Sequence, residues 1–441
     1  MLRTGRSSVA SFGAMSEPPG LGLTARLGPW AVAALVMLCL EALYTETSRF
    51  EGPIGEKYLA TIIQPGGADF VNAFNGSLAL LRGVNPYDHR VDDLADPLGR
   101  EAIIPGRWYN TIYLPTHLAT YVPLAIATGG GRRRAVHVWF ALNLVWLVGL
   151  SAVTAKLLAD VKREPFDPLL ALVLLFVFAA SPPVQLLLER GQSDLFTALL
   201  VWGGLLLALR DRWFAATFFV TWALLMKGYP VLVLAGLGLF GLRRRMRPTI
   251  AGVLTALIVL LLPVVRYLPV GLEAARARSQ LFMNTWYNHS FQNLVYELAP
   301  DQARAGARAL TGLGLIATLL CGLAAWRAAK RGEPNASWSV LFTVVALATM
   351  LGFSGVSHTY NLILILPGAV VAALGQREIA RAARFERADA LIGIALLLAL
   401  TPLVIVKTGS ATFPLASLGL VGVILIGFTL AAYTLVASSK R

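Results

Sequence analysis

Apolar run follows apolar run from Ala31 to Ala437, and a soluble core cannot hide that much apolar surface. The chain is therefore read against a lipid bilayer, as a single integral-membrane domain. Composition agrees: 56% of the residues are hydrophobic, only 14% are charged, and the mean hydropathy is +0.66. Lys+Arg 38 against Asp+Glu 24 gives a net charge of +14, yet the arginines sit in short clusters between the apolar runs. Cytoplasmic loops of multi-spanning proteins keep their positive residues there, so no nucleic-acid partner is expected. Cys39 and Cys321 each lie inside an apolar run, which leaves neither a disulfide framework nor a metal-ligand pattern.

A crossing needs about 20 apolar residues at 1.5 Å rise each. Residues 1–28 are polar, carry Arg3, Arg6 and Arg26, and read as a disordered cytoplasmic tail; Pro29 to Thr47 then runs outward as a retained first helix. The stretch 48–134 reads as a large outer loop with interfacial segments. Within it, Asp69 to Arg82 spaces Phe70, Ala73, Phe74, Leu78 and Leu81 three or four apart, which predicts an interfacial amphipathic helix. Trp108 to Thr128, interrupted by Pro115 and Pro123, is expected not to cross.

The second crossing is then Ala135 to Leu157. The rest are expected near Leu169 to Leu187, Leu195 to Leu209, Trp213 to Met226, Val231 to Leu242, Thr249 to Leu268, Ala307 to Ala325, Trp338 to Phe353, Leu362 to Leu374, Ala388 to Val406 and Pro414 to Val436. The expected fold is all-α and polytopic, with about twelve transmembrane helices, a domain over 29–437, a tail at 438–441 and both termini cytoplasmic. This count puts Arg210, Arg243 to Arg247, Arg327 to Arg331 and Arg377 to Arg387 on the cytoplasmic side, with Arg132 to Arg134 against the trend. As one helix Trp213 to Leu242 would be about 45 Å long, so it must fold back at Lys227-Gly228-Tyr229-Pro230. A lysine in irregular backbone at that depth needs a polar cavity or protein around it.

Under this topology the inner side is arginine and little else. The outer side collects Asp69, Asn85 to Asp88, Tyr113, Arg190 to Asp194, Lys227, Asn288 to Asn293 and Ser357 to Tyr360. Carboxylate, lysine, histidine and amides at one membrane face point to a site for a polar or anionic group, without a Gly-rich nucleotide-phosphate loop. Each also has a structural reading. Asp69 suits a helix N-cap, Lys227 a snorkelling side chain, His358 a bond between helices, Asn85 to Asp88 a turn, and Ser193 or Asp194 a cap for the next crossing. The histidines lack metal-ligand spacing, so no metal is expected.

These residues resemble the GT-C superfamily of integral-membrane glycosyltransferases, specifically family 87, the polyprenyl-phosphate-mannose-dependent mannosyltransferase type. The resemblance rests on Asp69, on RGVNPYD from Arg82 to Asp88, YLP from Tyr113 to Pro115 and GQSD from Gly191 to Asp194. It continues with KGYP from Lys227 to Pro230, NHSFQN from Asn288 to Asn293 and SGVSHTYNLILILP from Ser354 to Pro367. The family usually carries Asn after its Gly-Gln pair, whereas this chain has Ser193-Asp194.

The resemblance implies an inverting transferase that moves a sugar, mannose first, from a polyprenyl-phosphate donor to an acceptor hydroxyl of a glycolipid or polysaccharide. The reaction would take place at the outer face of the plasma membrane. The lipid-linked sugar phosphate is the co-substrate, membrane lipids surround the protein, and no separate cofactor is implied. By the same resemblance Asp69 is the catalytic base and His358 a second catalytic residue. Lys227 and Arg190 are expected at the donor phosphate, and Gln192, Tyr87, Asp88, Tyr229, Asn288, His289 and Gln292 at sugar or acceptor. A polyprenyl-phospho-arabinofuranose or -glucose donor, and a lipid or solute transporter, are the alternatives.

Overall fold

The computed structural model describes residues 68–87, 113–281, 288–330, 336–354, 357–383, 405–408 and 411–439. The expected tail at 1–28, the first crossing, most of Ala388 to Val406, and Asp88 lie outside the described residues. Helices dominate. They are α1 (Ala68–Leu81), α2 (Pro115–Ala127), α3 (Arg132–Lys162), α4 (Pro168–Ala180), α5 (Pro182–Arg190), α6 (Asp194–Leu209), α7 (Trp213–Met226) and α8 (Val231–Ala256). After them come α9 (Leu268–Leu281), α10 (Phe291–Leu298), α11 (Ala303–Lys330), α12 (Ala336–Phe353), α13 (Leu366–Leu374), α14 (Gln376–Ala382) and α15 (Leu415–Ser439).

Among the described residues the chain is helical as expected, with one short hairpin beside the helices. Ile405–Thr408 (β1) and Ala411–Pro414 (β2) pair as an antiparallel hairpin in the register Ile405 to Pro414 and Thr408 to Ala411. Its strands carry β-branched Ile405, Val406, Thr408 and Thr412, and Gly409-Ser410 is a composition that two-residue hairpin connections favour.

Among the described residues five helical stretches are long and apolar enough to cross a membrane, or six if the bent pair α4 and α5 is one span. That pair bends by 65° where Pro182 and Pro183 follow Ser181, because proline cannot donate to the preceding turn. At the other end of α4, the Asp167 carboxylate accepts from the N–H groups of Leu169 and Leu170 (2.9 and 3.3 Å) and caps the helix start. The expected crossing at Leu362 to Leu374 is only partly α-helical: residues Thr359–Leu364 form a 3-10 turn that hands over to α13.

α8 is not one rod. Arg245 leaves helical geometry at φ −149, ψ 67, and the chain reverses there. A side chain on Gly241 would collide with Thr249 and Trp213, although positions eight apart in a straight helix are separated by about 12 Å. Thr217 of α7 donates to the Thr249 carbonyl (3.0 Å), so the arm after the reversal runs back along α7. The break before α8, at Lys227 to Pro230, turns the chain at the opposite end of the same helices.

Two ends of the bundle result. At one, Arg210 meets Asp160 (3.2 Å), Arg245 meets Asp211 (3.1 Å), Arg243 and Lys330 flank the Trp326 ring, and Arg327 donates to the Leu435 carbonyl. This is the arginine end. The other gathers the carboxylates, amides and histidines singled out above and is the polar end.

α1 and α2 pack together at the polar end, with Gly76 close against Leu118, and share a core with the start of α3. At 13 residues α2 is short for a crossing. The main core holds α6 at its centre. Trp202 is fully buried there and its indole donates to the Leu364 carbonyl (2.7 Å), while Gly368 lies against the same ring. A Cβ at position 368 would overlap both Trp202 and Val344. Gly368→Ala is therefore expected to destabilise the protein by about 1–3 kcal/mol, read as a lower melting temperature in detergent. An unchanged midpoint would contradict this packing.

Candidate active site

The site begins with α1, which is buried all round from Ala73 to Ala79, polar Asn75 and Ser77 included, so that the helix expected at an interface is instead packed within the protein. Phe70 and Phe74 are wholly buried and stacked (5.4 Å between centroids), and Phe70 also meets Tyr121 and Trp139. Asp69 is the second residue of this helix, and its side chain pairs with Arg190: Oδ2 lies 3.2 Å from Nη1. Arg190 ends α5, where Gly191 takes the left-handed conformation (φ 68) that a side chain resists. The Trp139 indole donates to the Gly191 carbonyl (3.0 Å) and holds that helix end beside α1. The Asp69 side chain is 8% exposed and that of Arg190 is 50% exposed, so a recessed carboxylate stands under a cation open to the surroundings.

Lys227 belongs to a second cluster. It follows the last residue of α7 in extended conformation, and its ammonium lies 2.6 Å from Asp194 Oδ2 and 3.1 Å from Gln192 Oε1. The Gln192 amide in turn donates to the Tyr113 hydroxyl (3.2 Å). The other Asp194 oxygen accepts from the Asn361 amide (2.9 Å), whose own oxygen accepts from the His358 backbone N–H (2.8 Å) and the Tyr229 hydroxyl (3.5 Å). Lys227 lies 5.6 Å over the Tyr360 ring, which is 5.2 Å from the ring of His358. Arg190, which pairs with Asp69, and Gln192, which accepts from Lys227, are two residues apart at the end of α5. The two clusters thus form one site.

Asn288 and His289 do different work from their neighbours. The Asn288 carbonyl oxygen of the side chain accepts from the backbone of Ser290 (3.1 Å) and Ser357 (2.9 Å), and His289 N–H donates to the Ser357 carbonyl (2.7 Å). His289 Nε2 pairs with Thr359 (3.2 Å). Both residues are wholly buried and clasp the chain around 288–290 to the segment that carries His358, while Gln292 is half-buried in the first turn of α10. Burial, aided by the charge of His358, lowers the His289 imidazole to about 3. It is therefore neutral at physiological pH and acts as a hydrogen-bonding group. His117 is likewise lowered to about 3, by burial and then by Lys227, and bridges the Met226 carbonyl (3.2 Å) and Ser193 (3.5 Å) while stacking on Tyr113.

Tyr87 sits one step back, its hydroxyl donating to the Tyr113 carbonyl (2.7 Å) and its backbone N–H to Asn85 Oδ1 (3.1 Å) in the turn that Asn-Pro favours. Neither Ser193 nor Asp194 serves as the side-chain cap of α6, since no side chain accepts at that helix start and Asp194 is used by Lys227 and Asn361. Tyr113, Asp194 and Tyr360, which the sequence places in the polar group without a role, join the site, and Asn361 and His117 are site residues outside that group. Asn361 and Tyr360 directly follow the His358-Thr359 pair, and Asp194 lies two positions after Gln192, which is the signal available for them. Among the described residues no three His, Cys, Asp or Glu side chains converge to hold a metal.

Long apolar helices around a charged, amide-lined end define a multi-pass membrane protein with a built polar site. Residues 111–355, more than half of the chain, match the sequence model of glycosyltransferase family 87. The chain belongs to that family and is a glycosyltransferase. No curated protein and no solved structure matches it.

Proposed function

We propose that the protein transfers a sugar, mannose first, from a polyprenyl-phosphate donor to an acceptor hydroxyl of a glycolipid or polysaccharide, at the extracytoplasmic face of the plasma membrane. The observation that carries this reading is the recessed Asp69 carboxylate beside the half-exposed Arg190 guanidinium. A glycosyl transfer from a phosphate donor asks for those two groups, a base for the attacking hydroxyl and a cation for the departing phosphate. The acceptor oxygen attacks the anomeric carbon, its proton passes to Asp69, and the bond from that carbon to the phosphate oxygen breaks with its electrons going to the phosphate. A single displacement inverts the anomeric centre. Arg190 balances the charge that develops on the leaving group, and the prenyl chain lies between helices.

The arginine end supports the sidedness. Arg210, Arg243, Arg245, Arg327 and Lys330 cluster opposite the site, and positive residues favour the cytoplasmic side. The C-terminal part of α15 reaches that same end at Leu435. About twelve crossings fit the reversals at Lys227 to Pro230 and at Arg245, each of which returns the chain through the bundle.

Membranes overproducing the chain, incubated with radiolabelled polyprenyl-phospho-mannose and native lipid extract, are expected to yield a labelled glycolipid or glycan. Label from a polyprenyl-phospho-arabinofuranose or -glucose donor alone would replace the sugar. No label from any prenyl-phosphate sugar would overturn the donor class.

A further inference from the structure

Lys227 and Arg190 stand at the same end of the bundle in different surroundings. The side chain of Arg190 is 50% exposed, whereas that of Lys227 is 11% exposed and rests on a fully buried Asp194. We propose that Asp194 is a positioning residue for the transfer reaction and that Lys227 serves as its counter-ion instead of as a ligand of the donor phosphate. The inference rests on the reading of the site as a sugar-transfer centre.

Both oxygens of Asp194 are committed, Oδ2 to Lys227 and Oδ1 to Asn361. One carboxylate at the first turn of α6 thereby fixes the broken turn after α7 and the 3-10 segment Thr359–Leu364. Asn361 passes the constraint on by accepting from the His358 backbone and from Tyr229. The same 3-10 segment is held to α6 a second time, where Trp202 donates to the Leu364 carbonyl. Asp194 and Trp202 are eight residues apart on one helix, so α6 holds the segment at two points, Asn361 and Leu364, and sets where the neighbouring His358 and Tyr360 stand over Lys227. A buried ion pair of this kind tolerates loss of both charges far better than loss of one, because one partner alone is left as an uncompensated charge.

A charge-compensation cycle on the purified protein tests this, with Asp194→Asn, Lys227→Met and the double variant assayed against polyprenyl-phospho-mannose and native acceptor lipid. Each single variant is expected to lower kcat by about 100-fold, the effect of misplacing reacting groups by about 1 Å, with donor KM within about threefold of wild type. The double variant is expected to return to within about tenfold of the wild-type kcat and to regain the melting temperature that each single change lowers. A double variant as inactive as Lys227→Met, with a raised donor KM, would assign Lys227 to the phosphate and overturn the inference. So would melting shifts that simply add, which need no substrate to measure. Wild-type protein inert toward every prenyl-phosphate sugar would sink the functional reading and this role with it. An active wild type with an unrescued double variant sinks this role alone.

Discussion

Asp69→Asn is expected to lower sugar transfer by about 10²- to 10⁴-fold while leaving the fold and donor binding in place, the range by which a positioned general base accelerates proton transfer. Asparagine matches aspartate in shape, and its carbonyl oxygen still accepts from Arg190 across the 3.2 Å contact, so the packing of Phe70 and Phe74 that aims the first turn of α1 is not disturbed. What is lost is the capacity to take a proton from the acceptor hydroxyl. Single-turnover transfer measured beside equilibrium binding of radiolabelled donor separates the two effects. Transfer close to the wild-type rate would dismiss Asp69 as the base.

Arg190→Gln is expected to reduce kcat/KM by about 10²- to 10³-fold, because a charge-assisted contact to the leaving phosphate acts on the transition state as well as on donor binding. Its guanidinium is half exposed at the mouth of the site, with Asp69 as its carboxylate partner. A phosphate that draws on Arg190 competes with Asp69 for it, so donor arrival and the freeing of the base are linked by one side chain. Arg190→Lys is expected to recover part of the loss, since it keeps the charge without the planar fork. Donor KM and kcat both within about threefold of wild type in Arg190→Gln would remove it from the phosphate, well below the effect of losing one such donor.

Much of the scaffold was legible in the sequence because it is written in local patterns. The three-and-four spacing of Phe70, Ala73, Phe74 and Leu78 marks α1, and the helix runs over Ala68–Leu81. The break at Lys227-Gly228-Tyr229-Pro230 follows from a run too long for one crossing, and α7 ends there at Met226. The arginine cluster 243–247 likewise marks the reversal at Arg245. Other features lay beyond local pattern. The 3-10 turn at Thr359–Leu364 falls inside an apolar run that reads as helix, and it is selected by Trp202 and Asp194 on another element.

The site shows the same division. Residue types and their gathering at one end were readable, but partners were not. Lys227 read as a cation for phosphate, and the structure gives it a buried carboxylate. Asn288 and His289 read as sugar contacts, and Asn288 Oδ1 and His289 Nε2 bond the chain at Ser357 and Thr359. An isolated sequence carries the hydrogen-bonding capacity of a side chain, but which groups consume it depends on what lies within 3 Å.

By itself the sequence determined that this chain lives in a bilayer, that its helices break at glycine, proline and arginine clusters, and that most of its amides and histidines lie between apolar runs at the end opposite the main arginine clusters. Each of these follows from hydrophobicity and backbone chemistry acting over a few turns. Only the tertiary structure decided that Asp69 pairs with Arg190, 121 positions later, and that Asp194 pairs with Lys227 and Asn361, 33 and 167 positions later. Any of several cations satisfies a carboxylate equally well in a linear chain, and the choice is made when helix packing brings one within reach and excludes water from the rest.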